Sequence, residues 1–182
     1  GRYLFAILPT GLLKIYDCGV PSSPTLVYSA DVGTGTSYGV SPMMVTVDNM
    51  LWYRDGGFAL RGIDVSNPSS SIIVPVSFAM SNLDSNLIYH KGYLSYMFIL
   101  GAPPSQLSVV NVRDPYNVTG FGVSAPGLLQ GGFMLINGNY LYASGYMGAG
   151  NVLLIYDITT PSTPVLVANL TGASPSWATG YG

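Results

Sequence analysis

Nearly one phrase is written four times in this chain of 182 residues: LKIYDCGVPSSPTLV at 13–27, LRGIDVSNPSSSIIV at 60–74, LSVVNVRDPYNVTGF at 107–121 and LLIYDITTPSTPVLV at 153–167. The corner residues of the phrase, Asp17, Asp64, Asn111 and Asp157, stand 47, 47 and 46 residues apart. A near-constant period of this length defines a repeat architecture, in which one unit cannot bury its apolar face alone and must stack on its neighbours. A second landmark keeps the same time independently. The segments YLFAIL from Tyr3, MLWYRD from Met50, YLSYMF from Tyr93 and YLYASG from Tyr140 recur after 47, 43 and 47 residues.

A further apolar run precedes this second landmark, as MMVTV (43–47), NLIYH (86–90) and FMLIN (133–137). It joins the next run through Asp48-Asn49, Lys91-Gly92 and Gly138-Asn139. Pairs of this kind tolerate positive φ and suit tight hairpins between antiparallel strands. Each unit is therefore expected to be a four-stranded meander, and four such strands in a period of about 40 to 50 residues make a β-propeller blade. The expected fold is all-β: one domain over 1–182, a four-bladed β-propeller of four-stranded antiparallel blades with units at approximately 1–40, 41–83, 84–130 and 131–182. The first unit has no innermost strand ahead of Tyr3, and the tail SWATGYG (176–182) stands one period on from the last. That tail is expected to pair with the strand from Tyr3 and close the ring. Donated to a neighbouring subunit, the same strand would link propellers into a chain.

The corner has a local reason. An Asp that ends a strand can accept hydrogen bonds from the backbone N–H groups that follow it, and Asn111 can do the same through its amide oxygen. Pro21, Pro68, Pro115 and Pro161 set φ where the chain reverses, at places where no ladder needs an N–H. The pattern LxIxDxxxPxxPxLV resembles the LVIVD repeat family of β-propellers, over all four units and most closely at 13–27 and 153–167. The third copy departs furthest, with Asn111 for Asp and Val118 for the second Pro. The resemblance implies a propeller and a secreted or surface-associated setting. The family has no agreed enzymatic chemistry, so the resemblance transfers no catalytic residue.

Composition narrows the partners. Charged residues make up 8% of the chain, against about 25% in an ordinary soluble domain, and hydrophobic residues 48%. All the acidic residues are Asp, and Gly (23) and Pro (13) are abundant, which is strand and turn chemistry. Six basic residues, scattered singly in a chain of net charge −2, make no footprint for nucleic acid. No apolar run reaches the roughly 18 to 20 residues of a membrane-spanning helix. An outer-membrane barrel needs strands of about 9 to 11 residues, longer than the runs here. The chain opens on Gly1 without a basic-then-apolar leader, as expected of a processed protein or a part of a longer one.

Chemistry-bearing residues are few. His90 is the only histidine and Cys18 the only cysteine, so an intrachain disulfide is impossible and a triad or a multi-histidine metal site has little to draw on. Asp17, Asp64 and Asp157 could suggest a ring of calcium-binding carboxylates, but their repetition before Pro corners suits the turn role. No GxSxG elbow is present. No catalytic, metal or cofactor site is expected. Asn117 and Asn169 head sequons that act only in a glycosylating secretory route. Among the aromatics, Tyr16, Tyr53, Tyr96, Tyr142 and Tyr156 read as strand residues that pack between blades. Tyr38, Tyr116, Tyr146, Trp177 and Tyr181 read as loop or terminal residues free to make contacts. Little surface charge points to association. The expected function is a non-catalytic, self-associating subunit of an extracellular, cell-surface or virion assembly. The alternative is a glycan- or protein-recognition domain of a larger surface protein.

Overall fold

The computed structural model describes residues 2–8, 10–33, 44–55, 59–79, 87–98, 106–124, 130–147 and 150–172. The chain is all-β, with four antiparallel sheets that follow one another in sequence. The first joins β1 (Tyr3–Ile7), β2 (Leu12–Asp17) and β3 (Thr25–Asp31), and the second joins β4 (Met44–Val47), β5 (Met50–Arg54), β6 (Ala59–Asp64) and β7 (Ile72–Ala79). The third holds β8 (Ile88–His90), β9 (Tyr93–Phe98), β10 (Gln106–Asn111) and β11 (Thr119–Ser124). The fourth holds β12 (Gln130–Asn137), β13 (Tyr140–Met147), β14 (Gly150–Asp157) and β15 (Val165–Thr171). Each is a meander in chain order, the blade pattern expected from the repeat. The outer strand of the divergent third copy forms like the others, pairing Asn111 with Thr119 through Gln106 with Ser124. Among the described residues the first sheet has three strands. The closing strand expected at 176–182 lies outside them.

The hairpins follow the turn chemistry. Asp48 (φ 48) and Asn49 (φ 61) both take positive φ, as do Lys91 (φ 49) and Gly92 (φ 86). Such turns match the right-handed twist of the strands they join. Register then puts alternate residues on opposite faces of each sheet.

Two compact units divide the chain, Gly1–Met80 and Ser81–Gly182. In the first, one face of sheet 1 presents Leu13 and Ile15, with Tyr3, Phe5 and Ile7 beside them. This face packs on Leu51, Tyr53 and Ile63 of sheet 2. We call it the forward face, and the opposite face, which carries Leu4 and Tyr16, the backward face. Two tyrosine hydroxyls stitch the junction: Tyr28 donates to the Ser71 carbonyl at 3.0 Å and Tyr53 to the Val32 carbonyl at 2.7 Å. Burying an aliphatic side chain of this size contributes about 1.5–3 kcal/mol, so the apolar face outweighs the stitches.

Sheet 2 also contains a paired substitution of volume. Gly62 stands where the other copies have Ile15, Val109 and Ile155, and its strand partner is the buried Trp52. A Cβ on Gly62 would lie 2.9 Å from the Trp52 ring, so the indole fills the space the missing side chain leaves. In the second unit β12 lies against β8 and β9, and Leu107, Val109, Met134, Leu141 and Tyr156 are buried.

Candidate functional site

The corners expected to carry the repeat share one hydrogen-bond pattern. Asp17 Oδ1 accepts from the Gly19 N–H, Asp64 Oδ1 from Ser66 and Asp157 Oδ1 from Thr159, each at 2.8 Å, while Asn111 Oδ1 accepts from Arg113 at 3.1 Å. The neutral amide makes the longer bond, as expected when charge assistance is lost. The next N–H in each copy returns to the hairpin. Cys18 donates to the carbonyl of Arg2, Val65 to Asn49, Val112 to Gly92 and Ile158 to Asn139, all within 2.7–2.9 Å. Beyond this, Ser23, Ser70, Asn117 and Thr163 donate to the carbonyls of Val20, Asn67, Asp114 and Thr160. Pro21, Pro68, Pro115 and Pro161 thereby occupy the second position of four equivalent β-turns, where a φ near −65° is wanted.

The carboxylates at these corners are taken up by neighbouring backbone N–H groups and side-chain donors. Asp17 is held down at about 2, first by the hydrogen bond from Arg2 and then by the Gly19 N–H. The Ser66 backbone N–H and then its hydroxyl lower Asp64, and the Thr159 hydroxyl and then its N–H lower Asp157. Among the described residues no three His, Cys, Asp or Glu side chains gather where a metal ion could sit.

Charge collects at the corner ends. Arg2 caps Asp17 through Nε at 2.8 Å and lies over the Tyr3 ring at 5.5 Å. In the third copy Arg113 lies over the Tyr93 ring at 4.9 Å and donates to the Lys91 carbonyl, while Lys91 Nζ reaches Asn139 Oδ1 at 2.9 Å. Strands carry charge as well: Lys14 is on β2, Asp31 on β3, Arg54 on β5 and Arg61 on β6. The residue pattern did not reveal Asp55, a buried carboxylate just past the end of β5. It accepts from the Ala59 N–H at 2.8 Å and from Arg61 Nε at 2.7 Å.

Of the aromatics expected to be free, Tyr116 is 68% exposed on the third corner. Tyr146 belongs to strand β13 and not to a loop, because β13 and β14 pair out to Met147 and Gly150. It is nonetheless 44% exposed. Tyr38, Trp177 and Tyr181 lie outside the described residues. Of the strand tyrosines, Tyr53 and Tyr156 are buried, and burial pushes both hydroxyls up to about 12. Tyr16 and Tyr142 are half-buried, and the side chain of Tyr96 is not among those described. The sequons differ in setting: Asn117 is in an exposed turn and Asn169 on the exposed strand β15. His90 is half-buried with Nε2 out of solvent and without a hydrogen-bond partner among the described residues; desolvation first, then Lys91, depresses its pKa.

The surface feature that single residues did not announce is on sheet 4. A hollow of about 430 Å³, almost wholly apolar, is lined by Phe133, Leu135, Asn137, Tyr142, Ser144 and Leu153. Phe133 is 63% and Leu135 55% exposed. Each was legible only as a strand residue, and the face they share appears once the register of β12, β13 and β14 is known. An open apolar face of this kind suits contact with another surface better than reaction chemistry.

The LVIVD repeat family model matches residues 55–75 and 134–171, in the second and fourth units. No curated protein matches the sequence. Among solved structures, a Bacteroides fragilis protein named as a 6-phosphogluconolactonase matches over 93% of this chain and 55% of its own, at 14% identity and a TM-score of 0.62. Kluyveromyces lactis Hsv2 matches over 93% of this chain and 47% of its own (16% identity, TM-score 0.58). A Desulfotomaculum acetoxidans protein of unknown function matches over 92% and 65% (8% identity, TM-score 0.54). This chain thus spans about half to two thirds of the solved chains it resembles. At such identities the likeness is one of fold. The chain thus carries LVIVD repeats at 55–75 and 134–171 and the same corner geometry at Asp17 and Asn111, and its four meander sheets in series have a fold of the β-propeller class.

Proposed function

We propose that this chain is a non-catalytic structural and interaction module that associates with copies of itself, as a subunit of an extracellular or surface assembly. The observation that carries this reading is the open apolar face of sheet 4, in a chain of which only 8% of the residues are charged. Large exposed apolar patches on soluble proteins mark interaction sites, and a surface poor in charge does little to prevent association. The activity in the name of the Bacteroides fragilis protein is not carried over, because 14% identity transfers a fold and no residue.

The test is the mass of the native particle by light scattering, together with negative-stain imaging. Particles of two or more chains that persist on dilution are expected. A dispersed single chain at high concentration and low salt would overturn the reading.

A further inference from the structure

The repeat allows each face of each sheet to be compared with its equivalents. On the backward face, Leu4, Leu51, Leu94 and Leu141 occupy one position. Leu51, Leu94 and Leu141 are fully buried, whereas Leu4 is 54% exposed. On the forward face the equivalent set is Leu13, Leu60, Leu107 and Leu153. The first three are fully buried, and Leu153 is only half-buried and lines the hollow of sheet 4. The next positions repeat the pattern. Ile63, Val110 and Tyr156 are buried where Tyr16 is not, and Ile15, Gly62 and Val109 are buried where Ile155 is not.

Two faces are therefore left over, the backward face of sheet 1 and the forward face of sheet 4. The same chain displays what fits between them. Where sheet 1 meets sheet 2, a forward face (Leu13, Ile15) is covered by a backward face (Leu51, Ile63). The natural cover for the forward face of sheet 4 is accordingly a backward face of this repeat, and the uncovered one is on sheet 1. Leu4 is exposed and Leu153 half open among the described residues, and a second copy of this chain carries both complementary halves.

We propose that the backward face of sheet 1 in one copy docks on the forward face of sheet 4 in the next, extending the blade stacking across the boundary between chains. The contact is heterologous, so it closes into a ring when the rotation between copies permits and otherwise runs on as a filament. Because this chain spans about half of two of the matched solved chains, two copies supply a comparable set of sheets. The inference rests on the self-associating reading above and names the surfaces it uses.

The test replaces Cys18 by Ser and places one thiol on each face, Leu4→Cys in one preparation and Leu153→Cys in another. A short thiol-specific cross-linker is then applied to each alone and to the mixture. Linked dimers are expected from the mixture and not from either variant alone. In the double variant Leu4→Cys/Leu153→Cys, diluted after labelling, the link is expected between chains. A link within one chain would overturn the proposal, since the chain would then cover its own faces. Native particles of several chains that give no link in the mixture would overturn it while leaving self-association standing, and a native single chain would remove both. Leu4→Asp, at an exposed position that leaves the chain folded by near-ultraviolet circular dichroism, is expected to disperse the particle. Undiminished particle mass in that variant would also count against the proposal.

Discussion

Sheet 1 and sheet 4 carry nearly the same sentence and the same corner, yet their forward faces have opposite fates. In sheet 1, Leu13 and Ile15 are sealed by Leu51, Tyr53 and Ile63, and Tyr28 reaches across to the Ser71 carbonyl. In sheet 4, Leu153 and Ile155 occupy the equivalent positions and remain half open, Phe133 and Leu135 stand out beside them, and Ala168 takes the place of Tyr28. Even the irregularity is shared, for the outer strand slips register between Ile15 and Tyr16 and again between Ile155 and Tyr156. Closely similar local sequence therefore does not decide burial. Burial depends on whether another sheet arrives, because each repeat contacts only its neighbours.

The largest test of this contrast is a matched pair of truncations. Leu13→Ala is expected to cost about 2–5 kcal/mol in urea unfolding, because it leaves a cavity in a sealed junction. Leu153→Ala, measured on dispersed chain, is expected to cost under about 1 kcal/mol, since the side chain is already half in water. If the two costs prove equal in dispersed chain, the distinction between the faces fails. In assembled particles the second cost is expected to approach the first, which would sharpen the contrast into one between free and covered states of a single surface.

A smaller effect separates two buried tyrosines. Tyr53→Phe removes the donor to the Val32 carbonyl across the sealed junction and is expected to cost about 1–3 kcal/mol, the penalty for a buried group left unpaired. Tyr156→Phe is expected to be neutral or stabilising, because the Tyr156 hydroxyl is buried without a partner among the described residues. Comparison of the two midpoints in denaturant checks this, and an equal loss in both would mean that the hydroxyl stitches do not contribute to the sheet 1 junction.

The smallest effect is in the corners. The carboxyl of Asp17 lies at about 2, against 3.8 without its partners, and the hydrogen bond from Arg2 is the leading cause. A depressed folded-state pKa contributes stability that is complete above about 3.8 and is lost as pH falls toward about 2. In Arg2→Ala that loss is expected to begin nearer the ordinary carboxylate range. Asp157, held by Thr159 and without an arginine, is expected to be indifferent to that substitution. Acid unfolding curves of the two chains at low and high salt check this. Salt is expected to shrink the difference, because the Arg2–Asp17 pair is exposed and screened. Curves that coincide at low salt would mean that the pair contributes nothing.

Much of this molecule could be read from the sequence because the decisive interactions are local. Asp before a proline turn, positive-φ pairs such as Lys91-Gly92 and apolar strands at a fixed period each act within a few residues, so the four meanders and their corners follow from the chain alone. Sequence says less where a residue's role depends on what lies beyond its strand. Tyr146 read as a loop residue because pairing out to Met147 and Gly150 leaves no local mark. Asp55 gave no sign of burial, because its Arg61 partner comes only with the β5–β6 register. Gly62 looks like a weak point in a strand until Trp52 is seen to fill its place.

The sequence by itself determined the repeat, the strand order within each sheet and the hydrogen bonds of the corners, since these depend on spacing and on residues close along the chain. Only the tertiary structure decided which apolar faces are covered. Leu4 and Leu51, or Leu13 and Leu153, are the same letter in the same phrase, and what distinguishes them is whether a second surface has excluded water from that side. Hydrophobic burial acts between surfaces and carries no signature in the strand that supplies one of them.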